Sequence, residues 1–246
     1  MLVKTNAIMN GHFMLTSGLH SPHYVEKFNV LQHPKYTQQL CEAMAEKFKD
    51  ANIETVVGGT TNDTVVFSTA YTGGTISLGA GDDSLTLWAG TLQQNGQLSG
   101  ATGLTLNSDT LTTTADALTT SQGNITVNAG NATLGGEWNA GGDLALRGST
   151  LNTLSGAQVQ SEGNLTLQAQ QATLAGTQTA KGALTVEADS LLHSGKSHAA
   201  TLALKADTLT NQGTLVAPVL KINSQTLTNS GLLQGSQTLD LIARLM

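Results

Sequence analysis

Three groups of residues in this chain are of types that could do chemistry. His193-Ser-Gly-Lys-Ser-His198 offers a Gly-Lys-Ser that could end a phosphate loop, and two histidines that could hold a metal. Each reading lacks a part. A phosphate loop needs a glycine five positions before Gly195, where Ser190 stands, and a helix after it. A zinc-type site needs a Cys or a third His close by. Asp189 and Ser194 with either His193 or His198 could be written as a catalytic set, yet nothing orients a nucleophile against a base. The segment reads as an exposed turn. The second group is Asp63 and Asp83, in glycine-rich surroundings. They are weak calcium candidates, and ordinary Asp-containing turns are the better reading. The third group is His12, His20, His23 and His33, where no metal site is expected.

The elements that must carry these groups belong to two unlike stretches of chain, with a composition break near Gly58. Residues 1–58 hold five Lys and five acids, four of the six His, two of the three Pro and the single Cys, so this stretch is neutral. Residues 59–246 hold six basic and twelve acidic residues, so the whole net charge of −6 sits there. The first stretch reads as α/β. Pro34 opens a helix to about Asp50, with Leu40, Cys41, Met44, Ala45 and Phe48 at helical spacing. Cys41 on that apolar side reads as a small core residue rather than a nucleophile. Ile53–Val57 reads as a short strand. Fifty-eight residues with one amphipathic helix bury too little to make an independent domain.

The second stretch is rich in Ser, Thr, Asn and Gln and shows no helical periodicity, which points to strands. Only 11% of the chain is charged, against about 25% in average proteins, and 27 residues are Gly. A Leu-x-Leu or close variant recurs at Leu104, Ile125, Leu144, Leu165, Leu184, Leu202, Leu220 and Leu239, in steps of 21, 19, 21, 19, 18, 18 and 19. A second apolar mark follows at Leu111, Leu134, Leu151, Leu174, Leu191, Leu209 and Leu227. One repeat cannot bury its own apolar face, but repeats stacked at about 4.8 Å can pack each Leu on its counterparts. Turn residues stand beside the pairs, as in Gly123-Asn124, Gly142-Asp143 and Gly163-Asn164. The fold class expected is therefore all-β, a right-handed parallel β-helix of about 19-residue rungs behind a short α/β segment. The eight residues named first form its core ladder. Thr64–Phe67, Thr75–Leu78 and Ser84–Trp88 read as further strands. Trp88 and Trp138 read as packing or surface residues, with sugar stacking as the alternative.

Two resemblances add to this reading. Gly11-His-Phe-Met-Leu-Thr-Ser-Gly-Leu-His-Ser-Pro-His-Tyr24 and Val30-Leu-Gln-His-Pro-Lys-Tyr36 resemble the N-terminus of bacterial orotate phosphoribosyltransferase, over residues 8–58. The resemblance implies that Thr16, Ser17, Gly18, Ser21 and Tyr24 are the remnant of a loop beside the orotate and phosphoribosyl site. It stops at Gly59. The basic loop that covers pyrophosphate and the apolar–acid–acid turn that holds ribose are missing, since Asp82-Asp83 follows Gly79-Ala-Gly81 instead of an apolar strand. No phosphoribosyl transfer is expected. The repeats over 103–246, such as Ala206-Asp-Thr-Leu-Thr-Asn-Gln-Gly-Thr-Leu215 and Ser224-Gln-Thr-Leu-Thr-Asn-Ser-Gly-Leu-Leu233, resemble the haemagglutinin repeats of filamentous-haemagglutinin-like exoproteins. That resemblance implies a two-partner-secreted adhesin or contact-dependent-inhibition shaft. Residues 59–102 resemble autotransporter passenger rungs, with a hint of the calcium-binding repeats-in-toxin nonapeptide. Against calcium, Asp63 and Asp83 are twenty apart where paired nonapeptides need eighteen.

The domain organisation expected is thus 1–58, 59–102 and 103–246. Catalysis, cofactor and metal are not expected. The acidic balance argues against nucleic acid, and no apolar run approaches the roughly 18 residues of a spanning helix. The partners expected are a protein or glycan surface receptor, or further copies through open β-helix ends. The location is secreted or cell-surface, with any export signal outside this chain, because Met1–Met9 lacks an apolar signal core. Asn62, Asn124, Asn131 and Asn164 stand in glycosylation-type triplets, for which chance suffices.

Overall fold

The computed structural model describes residues 4–48, 55–67, 71–73, 75–87 and 90–243. The chain divides into two compact units, Met1–Asn52 and Ile53–Met246.

In the first unit, β1 (Ile8–Met14) and β2 (His20–Val25) form an antiparallel hairpin that the sequence reading did not foresee. Its turn closes with Gly18 N–H donating to Leu15 O at 2.8 Å, and Gly18 takes φ +80°, which a glycine adopts without strain. A bulge lies between Asn10 and Phe13, where Gly11 and His12 face the single residue Pro22. Pro22 has no N–H for the ladder, so pairing breaks at that point. A single turn, α1 (Phe28–Leu31), precedes α2 (Pro34–Phe48). Helix α2 starts at Pro34 as expected, with the proline where a missing N–H is harmless. The side chains of Cys41, Met44, Ala45 and Phe48, assigned above to its apolar side, lie outside the described ones.

The second unit is a parallel β-solenoid of about nine turns, in one 19-stranded sheet. Each turn has up to three legs. They are separate in one turn, as Glu137–Ala140, Leu144–Arg147 and Thr150–Thr153, and fused in later turns, as in Thr177–His193 and Lys196–Asn211. The strand Thr55–Val57 belongs here and not to the α/β segment, since it pairs parallel with Thr75–Ser77 and Val56 packs on the solenoid core. The composition break at Gly58 and the fold boundary at Asn52 are thus one strand apart. Thr64–Phe67 and Asp82–Leu87 pair with each other, and the latter with Gly103–Thr113, so the glycine-rich turns stack directly on the Leu repeats. Trp88 lies outside the described residues.

The Leu ladder is observed residue by residue. Leu104, Ile125, Leu144, Leu165, Leu184, Leu202 and Leu220 stand in consecutive register, each at most 2% exposed. Alternation turns every second side chain inward, and burying each Leu is worth roughly 2 kcal/mol. Leu239 stacks on Leu220 but is 46% exposed, because no described turn covers its other side. The second apolar series divides into two inward columns. The first is Leu111, Ala132, Leu151, Ala172, Leu191, Leu209 and Leu227. Leu134 and Leu174 sit two residues further on, in a separate column with Thr153, His193, Asn211 and Asn229. Both columns face inward because they differ by one period of two.

Turns stack as tightly as strands. A Cβ on Gly195, Gly213 or Gly231 would lie 1.9–2.2 Å from the carbonyl oxygen of the preceding turn's glycine, so only glycine fits there. The turn residues beside the Leu pairs form their own ladder. Asn124 Oδ1 accepts the Asp143 N–H at 2.8 Å, Asp143 Oδ1 the Asn164 N–H at 2.7 Å, and Asn164 Oδ1 the Ala183 N–H at 3.0 Å. Each bond satisfies a backbone donor that the bend takes out of the sheet.

Candidate functional site

The residues singled out by sequence fall into three places, and the fold separates most of them. On the hairpin, Thr16, Ser17 and Gly18 form the exposed turn, while Ser21 and Tyr24 lie on β2. Ser21 Oγ donates to His23 O at 2.7 Å and accepts the His23 N–H at 3.1 Å, so its hydroxyl is spent on shaping the strand. Tyr24 rests against the Phe13 ring at 5.6 Å and is 41% exposed.

His193 and His198 do not form an exposed pair. His193 is buried and His198 exposed: a bend at Ser194-Gly195 ends one strand at His193 and starts the next at Lys196, where alternation turns Ser197 inward and His198 outward. The hydroxyl that meets His193 is Ser197, at 3.0 Å from Nε2, and not Ser194. Around it the core holds a polar chain. Gln178 Nε2 donates to Thr153 Oγ1 at 3.1 Å, Ser197 Oγ bonds Gln178 Oε1 at 2.9 Å, and His193 Nδ1 lies 2.8 Å from Asn211 Oδ1. Asn211 Nδ2 donates to Asn229 Oδ1 at 2.7 Å, which fixes the Asn211 amide and makes His193 Nδ1 the donor. In the neutral ring, His193 Nε2 and Gln178 Oε1 then compete for one Ser197 proton. Burial holds the imidazole below its ordinary pKa, against the opposing effect of the Asn211 bond. Thr153, Gln178, His193, Ser197 and Asn211 are each at most 2% exposed and reach no substrate, so the arrangement around His193 suits a structural role. Trp138 is also interior, at 0% exposure, and packs rather than stacks on sugar.

Asp83 is not in an exposed turn. It occupies the inward position in register with Leu104, and is 2% exposed. Its Oδ1 accepts the Asp63 N–H at 3.1 Å, and Asp63 Oδ2 accepts the Gly59 N–H at 2.5 Å. Asp83 Oδ2 has no hydrogen-bond partner among the described residues. No group of three or more His, Cys, Asp or Glu gathers among the described residues. No helix among the described residues is long and apolar enough to cross a membrane. Of the glycosylation-type residues, Asn124 and Asn164 are committed to the turn ladder, and Asn131 Oδ1 accepts from Thr150 Oγ1 at 2.6 Å.

What the solenoid offers outward is columns. Arg147 Nε donates to Gln168 Oε1 at 2.9 Å, Gln168 Nε2 to Glu187 Oε2 at 3.2 Å, and Lys205 and Asn223 continue the file in register. Beyond a bend floored by Ala169, Ala188 and Ala206, Asp189 and Asp207 form a second file. Gln225 Nε2 donates to Asp207 Oδ1 at 2.7 Å. Between the files runs an open groove of about 710 Å³. Sequence reasoning passed over it. The signal was available as the recurring polar–Ala–polar triplets Glu187–Asp189, Lys205–Asp207 and Asn223–Gln225, with Ser224 in the small position.

Curated relatives match this chain over about a quarter of its length. Orotate phosphoribosyltransferase of Desulforamulus reducens is 51% identical over 55 residues, covering 22% of this chain and 29% of that protein. The enzymes of Caldicellulosiruptor bescii and Thermus thermophilus are 43% and 41% identical over 58 and 54 residues. The chain spans about 30% of the length of these curated relatives. No family model and no solved structure matches.

Proposed function

We propose that the solenoid is the shaft of a bacterial secreted or cell-surface exoprotein, of the adhesin or contact-dependent-inhibition kind, and works by presenting surface to a protein or glycan receptor. The observation that carries this reading is the registered file from Arg147 through Glu187, which repeats polar groups at turn spacing along one face. The buried polar chain, closed to substrate, supports a structural over a catalytic role. Leu232, Leu239, Leu241 and Ile242 of the last described turn are exposed, which suits the stacking of a further strand, of this chain or of another copy. Fractionation of cells expressing the native gene tests the proposal with an antibody to residues 103–246. The chain is expected at the surface or in the medium, and confinement to the cytoplasm refutes the reading.

A second reading, an orotate phosphoribosyltransferase fragment, is favoured by the 51% identity over 55 residues. It lacks the basic loop, and the only Asp-Asp pair sits on the solenoid with Asp83 turned into its interior. The purified chain is expected to release no pyrophosphate with orotate. Orotidine monophosphate formation that disappears on deleting residues 1–58 would establish the enzyme instead. A calcium-dependent module over 59–100 is favoured by the unpartnered Asp83 Oδ2 alone. Calcium is expected to leave the melting temperature unchanged; a rise abolished in an Asp63→Ala, Asp83→Ala double variant would reverse that.

A further inference from the structure

Four histidines crowd residues 12–33, and the hairpin sorts them. His23 Nδ1 lies 2.8 Å from Asn10 Oδ1, and His33 sets its ring edge-on to Tyr36 at 5.7 Å. His12 and His20 meet each other. Nε2 of His12 is 2.6 Å from Nδ1 of His20, with ring centroids 4.6 Å apart and planes inclined by 29°. That centroid distance is near the longest a 2.6 Å nitrogen contact allows, so the two nitrogens point at one another rather than the rings lying face to face. The register places His12 there: Met14 is the partner of His20, and His12, two residues back on the same face of β1, is the diagonal neighbour of His20 across the hairpin.

A contact this short requires one nitrogen to carry the proton and the other to offer its lone pair. A borderline divalent cation can replace that proton and take both lone pairs. With metal–nitrogen bonds of about 2.0–2.1 Å at a tetrahedral angle, the nitrogens stand about 3.3 Å apart, so they need to part by less than about 1 Å while each ring turns by about 35° to aim its lone pair at the metal. Both side chains are exposed, which leaves room for that rotation and for water at the other coordination positions. The ligands come from two strands already held by the hairpin, so little chain entropy opposes binding.

We propose that His12 and His20 form a surface site for one imidazole-preferring divalent metal ion, zinc, nickel or copper(II), with water completing the shell. Hard oxygen-seeking cations such as magnesium and calcium are not bound there, since imidazole is a poor ligand for them. The site is independent of the shaft reading, and its failure would leave that reading untouched.

Zinc titration of the full chain by calorimetry tests the site, with His12→Ala, His20→Ala, His12→Asn, His23→Ala and His33→Ala beside the parent. The expected result is one zinc per chain, weakened about tenfold or more in each His12 and His20 variant, and within about twofold of the parent in the His23 and His33 variants. The Asn variant keeps a polar cross-strand partner, so its loss of zinc cannot be assigned to a damaged hairpin. Zinc should also shift the ring resonances of His12 and His20 and no others. Equal weakening in all variants, no weakening in any, no zinc uptake, or equal heat with magnesium overturns the proposal.

Discussion

The two units show how differently a chain can use well-formed local structure. The first has a hairpin and an amphipathic helix opened by proline, yet Ala7 and Val30 are the apolar side chains fully buried among those described. The solenoid has legs as short as three or four residues, none stable alone, and its interior runs unbroken from Ile76 to Ile222. Local propensity makes elements; repeated register makes a core. A strand whose every inward residue has a counterpart above and below needs no helix to cover it. The same principle explains Leu239, which has a counterpart on one described side and stays 46% exposed.

The largest effect expected is in the ladder. Leu165→Asp or Leu184→Asp places a charge among stacked Leu side chains and should lower stability by about 4 kcal/mol or more in urea melts followed by circular dichroism. Thr166→Asp and Thr185→Asp, one residue on and half-exposed, should change it by about 0.5 kcal/mol. Equal tolerance at all four positions would break the comparison. The same charge at Leu239 should have a much smaller effect than at Leu220, which sharpens it. Next comes the turn column. Gly213→Val drives a Cβ against a backbone carbonyl and should destabilise by about 2–3 kcal/mol, whereas Gly156→Val, where nothing lies within 4 Å, should be nearly neutral.

A smaller effect concerns pH. Because the folded His193 is held below its ordinary pKa, the unfolded chain takes up a proton first as pH falls below about 6.5. The contribution of neutral His193 is therefore full above that pH and lost as pH drops toward the folded value. His193→Leu, matching Leu174 in the same column, should flatten this dependence in melts between about pH 7.5 and 5. An unchanged slope would remove His193 from the account. Smallest of all, Val30→Asp in the first unit should leave the main melting transition where it is. A shift as large as that of Leu165→Asp would mean that the two units do not fold separately.

Much of the fold was written in residue order. The steps of 18 to 21 residues in the Leu-x-Leu pairs predicted each register partner of the ladder, because period-two alternation and per-turn recurrence are properties of sequence. The glycine and Asn or Asp turns followed for the same reason. Where two inward columns lie two residues apart, alternation alone could not separate them, so Leu134 and Leu174 read as one series with Leu111 and Leu151. The hairpin escaped notice although Thr16-Ser-Gly18 between short apolar runs was a turn signal.

What residue order could not contain is which polar side chains meet once the turns close. Gln178 and Ser197 come from the first leg of their turns, Thr153, His193 and Asn211 from the third. The bend after each third leg sets it beside the next first leg, and the stacking of turns supplies the register partners. His12 and His20 likewise become neighbours through the register of the hairpin. The sequence alone determined the period and the inward face. The tertiary structure decided the chemistry of the contacts, because hydrogen bonds and metal ligation depend on distances across the fold that spacing along the chain does not specify.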